Sequence, residues 1–512
     1  MQRVNFHKPQ ALYDVAATRL LEQQAQQALP PHTLMSRAGL AVAKLALAVA
    51  PHAQRIWVAA GPGNNGGDGL EAAMHLQRWG KQPVVSWLGT PDQGAWAAER
   101  SAACPPPCGL LLLPAQNALP PKLQAPEDTK TSWLNAMGAG VPFVDTPPEN
   151  FDLCIDALLG IGSQLREPAG QMADWIAHIN RHGAPVLSVD VPTGLQADTG
   201  AACTTSVKAS HTLSLLTLKP GLFTGHGRDL AGCVWLDDLQ HGQASTVEPS
   251  AWLGGEPTTA VRAHASHKGS YGDVVVVGGA KGMTGAALLA GSAALHGGAG
   301  RVFVSLLDDR AMPLDPSQPE LMFRALETLA LDTMSVVCGC GGGTDIAAHL
   351  PGLLNSAANL VLDADALNAI AQSAPLQALL CARGQQQRTT VLTPHPLEAA
   401  RLLACSTAQL QANRLGCAQQ LAQRFACTVV LKGSGTVIAQ ADRTPVINPT
   451  GNAKLATGGT GDVLAGLIGA RLAQGLNGFD AACQAVYQHG QVADHWPQRQ
   501  ALTASQLAHA LA

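Results

Sequence analysis

Thr457, Gly458, Gly459, Thr460, Gly461 and Asp462 stand directly before the apolar run VLAGLIGARLA. Glycines let the backbone turn tightly and present several N–H groups, and the start of the following helix favours an anion. An aspartate there can take a proton from a hydroxyl attacking phosphorus, while the N–H groups stabilise charge on the phosphoryl in flight. Alone, it reads rather as a capped helix after a flexible turn, since aspartate is a good N-cap. Four further turns follow β-branched runs: Lys432-Gly433-Ser434-Gly435-Thr436, Thr393-Pro394-His395-Pro396, Asp363-Ala364-Asp365 and Gly339-Cys340-Gly341-Gly342-Gly343. The lysine turn alone could be a surface hairpin. Together, turns ending successive strands converge on one edge of an open α/β sheet, where such sheets bind ligands.

A second group lies in the N-terminal half. Gly61-Pro62-Gly63-Asn64-Asn65-Gly66-Gly67-Asp68-Gly69 follows a strand-like run and opens a helical one, so its N–H groups can cradle a diphosphate. Asn65 offers a neutral carbonyl oxygen, suited to a weakly held monovalent cation. Asp156 and Asp190 end two further strand-like runs.

The elements that carry these turns read as two α/β domains in tandem. Helical spacing runs from about Tyr13 to Gln27 and through LMSRAGLAVAKLALAVA. RIWVAA, a glycine loop, EAAMHLQRWG and PVVSWLG give strand, loop, helix, strand, the order of a parallel sheet. The prolines of residues 101–150 argue for an irregular excursion there. The rhythm resumes with FDLCIDALLGIG and APVLSVDVPTGL and closes at VWLDD. The expected division is residues 1–238 for the first domain, a linker at 239–266, and 267–512 for the second.

Composition excludes several classes. Hydrophobic residues make up 46% and charged ones 13%, which fits large buried cores and excludes a disordered chain. A net charge of −4 with no basic run argues against nucleic-acid or anionic-membrane partners. No uninterrupted apolar stretch reaches a membrane-spanning length, and the first residues lack a signal core, so the expectation is a cytoplasmic enzyme. The scattered cysteines lack paired zinc-finger spacing and read as reduced thiols.

HKGSYGDVVVVGG, VLDADALN, LTPHPLEAARLL, VVLKGSGTVIA and NPTGNAKLATGGTGDVLAGLI resemble the ADP-dependent NAD(P)H-hydrate dehydratases, over about residues 267–512 and in that family's order. The resemblance implies a ribokinase-like fold and dehydration of the (S) hydrate of NADH or NADPH, with ADP as co-substrate converted to AMP and phosphate. It implies that Lys432, Gly433, Ser434, Gly435, Thr436 and Gly461 hold the AMP part. Asp462, His395, Gly341 and Ala286 would contact the hydrate, with Asp462 deprotonating its C6 hydroxyl, and Mg2+ is expected with the nucleotide. Two departures touch loop shape: Cys340 stands where the family usually has proline, and NAKLATGG lacks a proline–glycine pair.

The N-terminal half, with LMSRAG and Arg166, resembles the NAD(P)H-hydrate epimerases over about residues 10–238. That implies a Rossmann-like three-layer fold and interconversion of the (R) and (S) hydrates. By position, Asn64, Asn65, Gly66, Gly67 and Asp68 would bind the hydrate, with Gly160, Ile161, Gly162, Ser163, Gln164, Leu165, Arg166 and Asp190. Asn65, Asp156 and Thr193 would ligate potassium, the last more often serine in the family. Asp190 is the candidate acid/base, although it could merely cap a helix or orient the substrate. The joint expectation is a bifunctional isomerase and lyase for nicotinamide nucleotide repair, assembled as a homo-oligomer. Rival readings are a small-molecule vitamin or sugar kinase, a nicotinamide-dependent dehydrogenase built on VVVVGGAKGMTG, and a nucleotide-sensing module without turnover.

Overall fold

The computed structural model describes residues 1–88, 125–162, 166–240, 242, 247–258 and 262–511. It divides into two compact units, Met1–Asn5 with Ala11–Ser250, and Phe6–Gln10 with Ala251–Ala512.

In the first unit a sheet runs in the order Gln2–Arg3, Cys233–Asp237, His211–Leu215, Val186–Val189, Leu153–Ala157, Arg55–Ala60, Gln82–Trp87, Phe143–Val144. Neighbours are parallel except at Gln2–Arg3. Successive side chains of a strand face opposite ways, so both faces of Arg55–Ala60 need cover. Ile56, Val58 and Ala60 pack with Val42, Leu70 and Leu76 of the helices Thr33–Val49 and Asn64–Arg78. Trp57 and Ala59 pack with Trp175, Ile176 and Ile179 of Gln171–His182. Helix, sheet and helix thus form three layers. The two helices on the first face meet closely: a Cβ on Gly39 would stand 2.2 Å from that of Glu71.

Two expectations need correction. Residues 101–124 lie outside the described residues, but the rest of the proline-rich stretch is not irregular throughout. Glu127–Gly138 is a helix and Phe143–Val144 an edge strand. No proline falls between the N-cap residue Pro126 and Pro142; Glu127 and Asp128 suit the first turn, and Trp133 and Ala136 supply a buried side. Within the segment read as a linker, Ala251–Leu253 is a strand parallel to Arg443–Ile447.

In the second unit the sheet order is Met322–Phe323, Arg301–Leu306, Asp273–Gly278, Ser335–Cys338, Asn359–Leu362, Thr390–Leu392, Thr428–Leu431, Val437–Gln440, Arg443–Ile447, Ala251–Leu253. From Met322–Phe323 to Thr428–Leu431 all pairs are parallel, and Val437–Gln440 is antiparallel to both neighbours. Val274, Val276 and Val337 pack with the helices Thr284–His296 and Thr460–Ala473; Val275, Val277 and Val336 pack with helices of the opposite face. Small residues let Thr460–Ala473 lie deep. A Cβ on Gly466 would stand 2.0 Å from the Ala290 carbonyl oxygen, and one on Gly469 2.4 Å from Val337 Cγ2. That depth sets where Asp462 sits.

Candidate functional site

In the second unit, Val277, Cys338, Leu362, Leu392 and Val429 are successive register partners, so these strands end within two residues of one another. The turns that follow open on one edge. Lys432 and Val437 bound a hairpin turn, yet the lysine does not face outward: its Nζ donates to Asp363 Oδ1 at 2.6 Å. Cys340 Sγ and a carboxylate oxygen each of Asp363 and Asp462 lie within 4.8 Å of one another. A Cβ on Gly461 would stand 3.3 Å from Lys432 Nζ. Four of the five turns therefore meet, and Gly461 is the gap beside the lysine.

Asp462 is not a cap. Gly459 is the N-cap of Thr460–Ala473, in a left-handed conformation, and makes no side-chain capping bond, so helix N–H groups remain for a ligand. Burial and the neighbouring Asp363 push the Asp462 carboxyl up to about 6, against the pull of the Cys340 thiol hydrogen bond and of Lys432. Burial opposes the Lys432 charge, but Asp363 and Glu398 outweigh it and raise the ammonium above its ordinary value. The Cys340–Asp363–Asp462 group has the side chains of a cation site, and Lys432 supplies the cation on Asp363.

His395 is the N-cap of Pro396–Leu403. Its Nδ1 accepts from the N–H groups of Leu397 and Glu398 at 3.0 and 3.3 Å. Nε2 must then carry the proton of the neutral ring, and it faces Glu398 Oε1 at 3.3 Å. Burial, followed by Lys432, lowers the imidazole's value, and burial raises Glu398 to about 7. Gly341 and Ala286 are also together: a Cβ on Gly341 would lie 2.9 Å from that of Ala286. Ser434 and Gly435 complete the lysine turn, and the Thr436 carbonyl accepts from Asn448 N at 2.8 Å.

Sequence reasoning missed three supports of this edge. Buried Arg414 donates to the Leu431 and Lys432 carbonyls at 3.3 and 3.2 Å, fixing the lysine turn from below. Glu398 closes a capping box with His395, which the spacing of PHPLE signals. His489 Nε2 donates to the Thr460 carbonyl at 2.9 Å and so pins the first turn that bears Asp462. Burial holds the His489 imidazole down at about 4, against an ordinary value of 6.5. Its folded value is the lower one, so its stabilising contribution is whole above about 6.5 and is lost as pH falls toward 4. The second unit should lose roughly 3 kcal/mol across that window from this residue. Urea midpoints measured against pH should show the slope, and His489→Gln, which keeps an N–H donor, should flatten it.

In the first unit, Gly63 is the N-cap of Asn64–Arg78 and makes no side-chain capping bond, which leaves N–H groups at Asn64, Asn65 and Gly66. Gly66 is sterically required, because a Cβ would lie 1.8 Å from the Gly61 carbonyl oxygen, and one on Gly67 would have to displace Met35 Sδ, 2.5 Å away. Asn65 Nδ2 donates to the Leu159 carbonyl at 3.1 Å, and Leu159 N donates to Thr193 Oγ1 at 3.1 Å. Thr193 Oγ1 in turn donates to Asp156 Oδ1 at 2.6 Å. Asn65, Thr193 and Asp156, the three predicted potassium ligands, are thus joined in one hydrogen-bond chain that runs through the Leu159 backbone. Asp156 is fully buried, and burial raises its carboxyl even though Thr193, Ser188 and Leu158 donate to it. A buried carboxylate whose charge is only partly met fits a weakly held cation.

Asp190 follows the strand Val186–Val189 with a positive φ of 66°. Its Oδ1 accepts from Leu215 N at 3.1 Å and from the buried Lys219 ammonium, a residue the sequence did not flag. Asp68 is partly buried, and its carboxyl stands well above the usual range through burial, then the charge of Asp190. Gly160 lies against Asn65, with 3.2 Å from its would-be Cβ to Asn65 Oδ1. Ile161 and Gly162 continue that turn, and Arg166 is exposed. Ser163, Gln164 and Leu165 lie outside the described residues.

Residues 274–512 match the NAD(P)H-hydrate dehydratase family, and residues 31–221 match the family described as YjeF-related protein N-terminus. The bifunctional NAD(P)H-hydrate repair enzyme Nnr of Escherichia coli is 36% identical over 487 residues, covering 90% of this chain and 85% of the relative. The enzyme of the same name from Coxiella burnetii is 34% identical over 500 residues, covering 94% of each. Among solved structures, the Bacillus subtilis ADP/ATP-dependent NAD(P)H-hydrate dehydratase co-crystallized with ATP/Mg2+ is 30% identical, with a TM-score of 0.41 over 50% of this chain and 92% of that one. Both halves are thus matched along one chain, and the protein belongs to the family of bifunctional NAD(P)H-hydrate repair enzymes.

Proposed function

We propose that the chain repairs hydrated nicotinamide nucleotides, the first unit interconverting the (R) and (S) hydrates and the second dehydrating the (S) form with ADP. The observation that carries this reading is the meeting of Asp462, Asp363 and Lys432 beside the gap at Gly461. Residues 432–436 and Gly461 hold the AMP part, and Asp462, His395, Gly341 and Ala286 face the hydrate. Asp462 takes the proton of the C6 hydroxyl as its oxygen attacks the terminal phosphoryl of ADP, and AMP leaves. The ring-nitrogen lone pair then expels phosphate from C6, and loss of a C5 proton restores the dihydropyridine. Mg2+ would be held through the phosphate oxygens, not by a protein cage.

In the first unit the uncapped start of Asn64–Arg78 receives the diphosphate of the hydrate. Asn64 to Asp68, Gly160 to Gly162, Arg166 and Asp190 bind it, and Asp190 is the acid/base at C6. Potassium sits on Asn65, Asp156 and Thr193, where it meets the buried charge of Asp156. The rival readings favour neither half: a kinase or dehydrogenase leaves the potassium-type set unexplained. Among the described residues no helix is long and apolar enough to cross a membrane. We place the enzyme in the cytoplasm, as a homo-oligomer.

Both readings are tested by supplying mixed (R) and (S) hydrates with ADP and potassium and following the return of NADH absorbance. Complete, prompt recovery is expected. Recovery of the (S) fraction alone would sink the epimerase reading, and no ADP-dependent recovery at all would sink the dehydratase reading.

A further inference from the structure

Lys219 is fully buried, and no step above uses it. It follows the strand His211–Leu215 and stands at the N-cap of the short turn Pro220–Leu222. Its ammonium donates to Asp190 Oδ1, to the Leu215 carbonyl at 2.7 Å and to the Thr217 carbonyl at 3.0 Å. An ammonium has three N–H donors, so all are spent and the group has no spare proton to shuttle. A buried ammonium persists only against a paired charge, which here is Asp190.

Asp190 is constrained from its own side too. Its left-handed backbone, with φ 66°, is rare for a residue with a Cβ and survives where the surroundings over-determine it. Its N–H donates to the Leu213 carbonyl at 2.8 Å, and Leu215 N donates to Oδ1 at 3.1 Å. Oδ1 therefore receives two donors, whereas none of the described residues donates to Oδ2. The Asp190 side chain remains 10% exposed, and Oδ2 is the oxygen left untied for a ligand.

We propose that Lys219 is a positioning residue for epimerisation, tying Asp190 Oδ1 and matching its charge so that Oδ2 is fixed to take the proton of the C6 hydroxyl. This rests on the reading of the first unit as an epimerase. As the proton passes to Oδ2, the O–H pair becomes the second bond of a C6 carbonyl. The C6–N1 bond breaks, its pair stays on N1, and N1 takes a proton from a water molecule. Rotation about C5–C6 and reclosure by the reverse steps give the other epimer, with no net change in protons or electrons.

The test uses the full chain, with chromatographic separation of the epimers at times short against spontaneous exchange. In Lys219→Met, kcat for epimerisation should fall roughly tenfold or more while KM stays within about twofold. ADP-dependent dehydration of purified (S) hydrate should be unchanged. In an Asp190→Asn background the same substitution should change neither constant further. Unchanged kcat in Lys219→Met, a rise in KM alone, or a further loss in the Asp190→Asn background would each overturn the proposal. If Lys219→Met fails to fold, Asp190→Asn/Lys219→Met, which removes both charges, is compared with Asp190→Asn, and a lower kcat in the double variant overturns it. A wild-type chain that does not speed epimerisation sinks the epimerase reading itself, an outcome distinct from all of these.

Discussion

Asp462→Asn is expected to lower the ADP-dependent return of NADH absorbance roughly 10²–10⁴-fold while ADP affinity stays within about twofold. The asparagine is near in size and keeps the helix start, so the uncapped N–H groups at Thr460 and Gly461 remain for the nucleotide. What it removes is the proposed acceptor for the hydroxyl proton, and the neutral amide cannot take one. The carboxyl it replaces stands at about 6, raised by burial and Asp363. A base works in its ionised form, so the wild-type rate should hold above that value and fall as pH drops through it. In Asp462→Asn the residual rate should lose this limb. The decisive pair of measurements is a rate–pH profile and ADP titration by calorimetry. Near-normal turnover in the variant, or an unchanged acid limb, would remove Asp462 from the role of base.

How much of this was legible in the sequence depends on the range of the interaction. Glycines and β-branched runs act locally, so the strand–turn–helix order around Gly61 to Asp68 and Thr457 to Asp462 could be read directly. The nearly level strand ends followed from parallel order, and they bring Lys432 to Asp363, 69 residues away. The strand His211–Leu215 was not legible: His211, Thr212 and Ser214 leave only Leu213 and Leu215 apolar, too few for a continuous apolar run. Glu127–Gly138 was hidden because it is a proline-free interval between Pro126 and Pro142 in a proline-rich stretch. Lys219, Arg414 and His489 escaped for another reason. Each gains meaning only by being buried against a carbonyl or carboxylate of a distant turn, and a lone Lys, Arg or His in a helical or loop pattern is more often solvated. Polar residues that support a site from within leave little pattern in the chain.

Lys432→Met should be more damaging than its exposed-turn sequence suggests, because it strips the cation from two carboxyls at once. Asp363 is 1% exposed and holds the ammonium at 2.6 Å, and Asp462 is within 4.8 Å of Asp363 through the same cluster. Removing one partner of a buried ion pair costs about 3–5 kcal/mol, unless the stranded carboxylate takes a proton instead. Either outcome is measurable. Thermal or urea unfolding of the second unit should show the loss at neutral pH and a smaller loss in acid, where the carboxylates are protonated in both proteins. The attraction of Lys432 also works against the upward push on Asp462, so its removal should move the acid limb of dehydration above about 6. Nucleotide binding should weaken by roughly tenfold or more, since the proposed reading makes Lys432 a charge-assisted donor to the AMP part. Adding Asp363→Asn separates the effects. The double variant should regain most of the stability, because no unpaired buried carboxylate remains, yet it should stay impaired in ADP binding, because the cation is still missing. Full recovery of ADP affinity in the double variant would mean that Lys432 serves only to neutralise Asp363.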